Sequence, residues 1–447
     1  MLYDFLVLNK NSAVPLYEQL YTGLKQGVET GRLPPGERLA SIRQAAGELS
    51  LSRTTVETAY ARLCLEGYAE ARPQSGYRVR GILPRPQAAA ETAAFLPRYD
   101  FSTSSIGPDA ADLQNWKRLM RAVLADSGAV VSYGDAQGEA ALRRALSSYA
   151  FSARGVLAEP ENIFIGAGVG PLLHLLCPLF SSRLPVWMEA SGFFQAEQIF
   201  FDYGFPVQTG GASFCLPNTP AIVMELPSLR PRETPVAVSA RRTALHTWAQ
   251  AEEQHYVIED DYNGELRYRT RPLPAFQGLC PDKTIYLGSF SKLLLPSVRI
   301  AYMVLPPPLA QKARARLAML NQTAGKTEQL ALAEYIRTGL LEKHLRRLRR
   351  LYAQKSQLIA EALDKTFGAA IQYTLRETYL SFSVTLAAAC TGETLEKLAR
   401  EHQILCRAQP PAPSGLPRVA LGFSGIPAAS IPAGVSALYT AFQKVLL

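Results

Sequence analysis

Leu16, Leu20, Leu24 and Val28 recur at every fourth position, and Gly31 follows the last of them. That stripe predicts a helix closing at a glycine. The turn-rich stretch LPPGERLAS (33–41) comes next, and Ser41 can cap a second helix, Ile42 to Leu49. Ser52 can cap a third that runs to Glu66, with Val56, Ala59, Tyr60 and Leu63 on one face. Thr54, Glu57, Thr58 and Ala61 point the other way, with Arg53 and Thr55 on the flanks. Gly67 stops this helix. YAEARPQSGYRVR (68–80) then alternates about a glycine turn, as a two-stranded wing would.

The pattern changes across ILPRPQAAAETAAFLPR (82–98), a Pro- and Ala-rich segment that reads as a linker. Beyond it, helical patterns alternate with short apolar runs: NIFIG (162–166), LPVWME (184–189), AIVMEL (221–226), HYVIED (255–260) and TIYLGS (284–289). Such alternation indicates an α/β domain with a largely parallel sheet. From about residue 330 long charged helices take over, followed by strands around 371–386, which predicts a smaller subdomain. Leu341, Leu345, Leu348 and Leu351 place the arginines of HLRRLRR (344–350) on the solvated face of a helix.

Composition narrows the class. The chain has 447 residues, 48% hydrophobic and 19% charged, which excludes wholesale disorder and implies several folding units. No apolar run approaches the ~20 residues of a membrane helix. The N-terminus lacks a basic region and a small-residue cleavage site, so no signal peptide is expected. The six cysteines are scattered without a C-x-x-C pair. That argues against a disulfide framework or a zinc site and suits a reducing cytoplasm. The net charge is +9, of which residues 1–85 carry +3, so charge alone does not single out a nucleic-acid binder.

Candidate chemistry falls into two groups. The first is the trio of N-terminal helices, whose grammar is that of a helix-turn-helix. Hydroxyls and an arginine in the first turn of the third helix suit base edges in a major groove, and the helix start favours phosphate. The second is GSFSK (288–292), after the strand TIYLGS. A lysine amine captures an aldehyde once desolvation lowers its pKa, and Ser289, Ser291 and Arg299 can hold a phosphate. VIEDDY (257–262) puts acids at the end of a buried strand. Asp260 can face the ring nitrogen that pyridoxal phosphate needs protonated, and Tyr262 can reach its phenolic oxygen. GAGVG (166–170), with Pro171 where a helix begins, offers backbone donors at Gly168, Val169 and Gly170 to the same phosphate.

Residues 33–79 resemble the GntR-type winged helix almost end to end, with Ala40 where that family usually has Pro. The resemblance implies DNA contacts from Arg43, Ser52, Arg53, Thr54 and Thr55, with Gln74, Ser75 and Gly76 at the wing tip. Residues 100–447 resemble fold-type-I aminotransferases. By that resemblance Lys292 carries pyridoxal phosphate, Tyr133 lies near the partner subunit's cofactor, Phe193 lies beside the ring, and Arg418 grips a substrate or effector carboxylate.

The combination is similar to the MocR regulators. It implies a winged helix-turn-helix over 1–81, a linker over 82–98, and an aminotransferase-like domain over 99–447 whose small subdomain begins near 330. It also implies a head-to-tail homodimer, operator DNA as one partner, and a small amine or vitamin as effector. Three positions depart from the family pattern. LPSLRPRET (226–234) puts Leu229 and Arg230 where a His-Gln pair is usual. Gly170 and Pro171 replace two glutamines. Gln195 stands where the GABA-responsive branch has Arg, so recognition of that ligand is not carried over. Arg230 leaves cofactor contact, effector contact or a drifted pocket open. The leading expectation is a pyridoxal-phosphate-dependent transcription regulator. The alternatives are an active aminotransferase carrying a DNA module, and a repressor whose large domain serves only as a scaffold.

Overall fold

The computed structural model describes residues 3–73, 75–80, 95–102, 105–189, 193–210, 216–227, 234–269 and 273–447. The chain divides into two compact units, Met1–Phe95 and Leu96–Leu447. Most of the expected linker, including residues 82–94, lies outside the described residues.

In the first unit, α1 (Leu16–Glu29) buries Leu20, Tyr21 and Leu24, and the chain leaves it through Gly31 at φ 77°. Ser41 Oγ accepts from the Gln44 amide at the start of α2 (Ile42–Glu48), and Ser52 Oγ accepts from the Thr55 amide at the start of α3 (Arg53–Leu65). Both caps satisfy amides that a helix start leaves open. Val56, Ala59, Tyr60 and Leu63 are buried, the face that the periodicity selects. β1 (Ala69–Arg72) and β2 (Gly76–Val79) form the antiparallel wing. Two features were not foreseen. The 33–41 stretch adds to the wing, with Leu39 N–H donating to the Tyr77 carbonyl and Val79 N–H to the Glu37 carbonyl. The extreme N-terminus also belongs to the core: the Tyr3 hydroxyl accepts from Ala40 N–H at 2.9 Å and pairs with the Tyr60 hydroxyl at 3.0 Å.

The second unit opens with β3 (Tyr99–Asp100), α4 (Leu113–Ala125), α5 (Ser127–Val131) and α6 (Ala140–Arg154). Its main sheet takes β4 (Ile163–Gly166), β5 (Val186–Glu189), β6 (Val207–Gly210), β7 (Ile222–Glu225), β8 (Tyr256–Asp260), β9 (Thr284–Ser289) and β10 (Ala301–Val304). Their order is β4-β10-β9-β8-β7-β5-β6, with β10 antiparallel to both neighbours and the other pairs parallel. Every strand seen in the sequence is present. The pattern did not show β6, whose exposed edge has no apolar run, or β10, hidden in LLLPSVRIAY.

The helices α7 (Val169–Leu176), α8 (Phe194–Asp202), α9 (Pro235–Ala251) and α10 (Pro307–Arg316) cover this sheet. Alternate strand residues face opposite sides. Ile222, Met224, Ile258, Ile285 and Leu287 pack with residues of α7, α8 and α10, whereas Val223 and Val257 pack with Leu245, Trp248 and Ala249 of α9.

The remaining elements are α11 (Lys326–Arg337), α12 (Leu340–Phe367), β11 (Ile371–Arg376), β12 (Ser381–Leu386), α13 (Gly392–Glu401), β13 (Ile404–Leu405), β14 (Arg407–Gln409), β15 (Arg418–Gly422) and α14 (Ile431–Phe442). They include a second sheet, β11-β12-β15-β14. This smaller layer is not sealed off, because one hydrophobic cluster runs from Phe101 through Leu142 and Tyr286 to Phe442. It also recruits the start of the unit, since β3 pairs in parallel with β13. The arginines of α12 lie on its solvated face, as expected: Arg346, Arg347 and Arg350 are exposed and Arg349 is half-buried. Arg347 donates to the carbonyls of Asp109 and Ala110 at 2.6 Å each, and Arg349 to that of Glu265 at 2.7 Å. Two arginines of the basic run thus also fasten the helix to neighbouring backbone. Among the described residues no helix is long and apolar enough to cross a membrane.

Candidate functional site

In the first unit the exposed end of α3 carries the expected groups. Arg53 and Thr54 are exposed at its first turn, and Arg43 is exposed on α2. The Ser52 hydroxyl is already a helix cap and lies 2.7 Å from Thr55 Oγ1, so both hydroxyls are held in place before any ligand arrives. At the wing, Gly76 takes φ 81°, and Arg38 extends to within 3.8 Å of where a Cβ on Gly76 would sit. Arg38 is a further cation beside the wing turn, marked by no sequence motif. Ser75 is half-buried at the turn, and Gln74 lies outside the described residues.

In the second unit the cofactor candidates gather at the strand ends. Lys292 follows β9 by three residues and is half-buried. Burial lowers its pKa to about 8, and the Asp100 carboxylate partly opposes that shift. Asp100 is fixed in turn by Ser102 N–H at 2.8 Å and Ser105 Oγ at 3.1 Å. No motif marked Asp100, because its relation to Lys292 spans most of the unit.

Beside Lys292 lies an anion cradle. Ser291 N–H donates to Ser289 Oγ at 3.3 Å, and Arg299 Nη1 donates to Ser291 Oγ at 3.4 Å. Arg299 holds φ 50°, a left-handed conformation that few non-glycine residues adopt. Its guanidinium lies 2.7 Å from where a Cβ on Gly168 would be, and Gly168, at φ 104°, precedes α7. A Cβ on Gly170 would meet the flexible end of Gln195, with Nε2 at 2.8 Å. The GAGVG turn therefore lies beside Arg299, which in turn bonds Ser291. Val169 is the first residue of α7.

Asp260 ends β8, opposite Leu287 of β9. It is 5% exposed, and burial followed by repulsion from Asp261 raises its pKa to about 7. It has no hydrogen-bond donor or cation beside it among the described residues. A buried carboxylate in this condition lacks the positive partner it needs. A protonated pyridine nitrogen would supply one, so the residues fit pyridoxal phosphate: an amine of lowered pKa, an anion cradle and an unmatched acid. Tyr262 lies in the turn after β8, not on the strand itself, within electrostatic reach of Asp260.

The acid next in sequence does different work. Asp261 accepts from Arg154 Nε and from the Tyr286 hydroxyl at 3.0 Å, a buried brace under the strand end. Phe193 leads into α8 and packs partly on the α7–α8 core. Tyr133 is fully exposed on this chain, at 102%. Arg418 is not brought to Lys292: it lines a separate cleft, and its Nε donates to the Pro410 carbonyl at 2.8 Å. Arg230 lies outside the described residues.

A groove-reading winged helix and an aminotransferase-type lysine site on one chain define a class of regulator, and comparison bears this out. Residues 16–79 match the family described as bacterial regulatory proteins, gntR family. The uncharacterized HTH-type transcriptional regulator YdeL of Bacillus subtilis is 32% identical over 98% of both chains. The probable rhizopine catabolism regulatory protein MocR of Rhizobium meliloti is 28% identical, covering 98% of this chain and 96% of its own. Among solved structures, the alpha-aminoadipate aminotransferase LysN of Thermus thermophilus, complexed with N-(5'-phosphopyridoxyl)-L-leucine, matches 77% of this chain and 92% of its own. Its TM-score is 0.64 at 25% identity. The chain belongs to the MocR-type transcriptional regulators, a GntR winged helix followed by an aminotransferase-like domain.

Proposed function

We propose that this regulator holds pyridoxal phosphate on Lys292 and reports a small amine or vitamin-related effector to its DNA-binding head. The observation that carries the reading is the convergence of Lys292, the cradle of Ser289, Ser291, Arg299 and Gly168–Gly170, and the unmatched carboxylate of Asp260. When bound, pyridoxal phosphate supplies an aldehyde open to primary amines and an electron-withdrawing ring. The chain's own groups do the rest. The cradle would hold the phosphate, Asp260 would keep a proton at the ring nitrogen, and Tyr262 would hydrogen-bond the phenolic oxygen. Lys292 would hold the group through its amine, for which an effector amine would compete. A competing amine shifts the protein only if it favours one arrangement over the other.

The assembly that suits this role is a head-to-tail homodimer acting in the cytoplasm on operator DNA. Exposed Val131 and Tyr133, at the end of α5, are apolar surface that a second copy would cover. Arg43, Ser52, Arg53, Thr54, Thr55 and the Ser75–Gly76 wing tip would meet the duplex.

Borohydride reduction followed by mass spectrometry tests the cofactor claim. The expected result is a phosphopyridoxyl adduct on Lys292 that is absent in Lys292→Ala. Wild-type protein with no adduct after incubation with the cofactor would leave only the DNA reader.

A further inference from the structure

A cleft of about 1530 Å³ lies on the side of the main sheet away from Asp260. Asp260 shares its face with Ile258, whereas Glu259 shares the opposite face with Val257 and α9. Glu259 lines the cleft, and none of Lys292, Asp260, Tyr262, Ser289, Ser291 or Arg299 does.

The cleft's charge is lopsided. Its lining includes Arg154, Arg241, Arg242, Arg269, Arg376 and Arg418, set against Glu225, Glu259 and Glu377. All three carboxylates are engaged. Glu225 accepts from Arg241 at 2.8 Å. Glu259 accepts from the backbone N–H groups of Phe276 and Gln277 at 2.8 and 2.9 Å. Glu377 accepts from those of Tyr268 and Arg269. Among the described residues Arg242, Arg269, Arg376 and Arg418 form no ion pair, although Glu259 acts electrostatically on Arg242. Arg242 is held by the carbonyls of Pro274 and Ala275 at 3.0 and 3.3 Å, and Arg418 by that of Pro410. Arg376 stacks 3.8 Å over the Tyr379 ring. Arg154 is 6% exposed, and its Nη1 is buried with no hydrogen-bond partner in the structure.

We propose that this cleft is a second ligand site, separate from the cofactor site, for a small organic polyanion bearing phosphate or paired carboxylate groups. Guanidinium forks match both groups bidentately, and an anion relieves the repulsion among clustered arginines. Arg242 lies on α9, Arg376 on β11 and Arg418 on β15. One bound anion would thus tie the main-sheet layer to the smaller layer. That is a means of biasing the large unit without touching Lys292.

Calorimetric titration of the full chain, saturated with pyridoxal phosphate, tests the site, with inorganic pyrophosphate and citrate as probes in separate arms. At least one probe is expected to bind. Its affinity should fall at least about tenfold in the Arg242→Gln/Arg376→Gln variant and stay unchanged in Lys292→Ala. Which probe binds separates phosphate from carboxylate ligands. Arg269→Gln/Arg418→Gln is the second variant should the first melt early. The proposal is overturned if neither probe binds, if both variants bind as wild type does, or if Lys292→Ala abolishes binding. Displacement of the probe by duplex DNA of unrelated sequence would also overturn it.

Discussion

At the scale of single residues, the cofactor site is built from groups held in unfavourable states. Asp260 has a folded-state pKa near 7 against an ordinary value of 3.8. The native state therefore binds its proton more tightly than the unfolded state does. Stability from this group is full below about pH 4 and is lost as pH rises through 7. Asp260→Asn removes the ionised form. It is expected to stabilise cofactor-free protein at pH 8 by about 1–3 kcal/mol, while weakening cofactor retention. Thermal melts with and without pyridoxal phosphate check both halves, and a destabilised apo variant would refute the argument. Lys292 strains in the opposite sense. Capture of the aldehyde should rise with pH to a midpoint near 8. Asp100 favours the lysine cation, so Asp100→Asn should move that midpoint down. The pH profile of the adduct's visible absorbance measures this; a midpoint unmoved by the substitution would remove Asp100 from the site.

At the scale of elements, cap and recognition roles in α3 can be separated. Ser52→Ala removes a cap from Thr55 N–H and is expected to cost about 1 kcal/mol of stability. Arg53 is exposed and adds little to the fold, so Arg53→Ala should leave the melt unchanged and relax sequence discrimination in footprints. Unchanged footprints would take Arg53 out of the groove. The same distinction explains what the sequence made legible. Caps, stripes and the wing of the first unit depend on residues a few positions apart, and all three helices stand where the periodicity put them. GSFSK and GAGVG were equally local. The brace of Arg154 on Asp261 joins residues 107 apart, and Asp100 reaches Lys292 from the opposite end of the unit. Such pairings follow from strand order, which no local pattern encodes. Strand β10 escaped notice because its neighbours are chemically louder. Arg418 begins β15, and the antiparallel register of that strand with β14 carries it to the arginine cleft instead of to the lysine.

At the scale of the whole molecule, one reading head offers only a short stretch of contact. α3 and a four-residue wing strand engage a few base pairs and the phosphates beside them. A regulator that finds one operator among many sites needs a larger total, and in the proposed dimer a second copy of the chain would supply it through a second half-site. If cations such as Arg38, Arg43 and Arg53 meet the duplex as proposed, they displace counterions from phosphate, and affinity falls as a power of salt concentration. Doubling the heads doubles that exponent. Fluorescence anisotropy of labelled duplexes across a salt series tests this directly. A two-half-site operator should give a slope of log affinity against log salt about twice that of a single half-site. Equal slopes on both duplexes would mean that one head binds at a time, and the dimeric reading of the operator would fall.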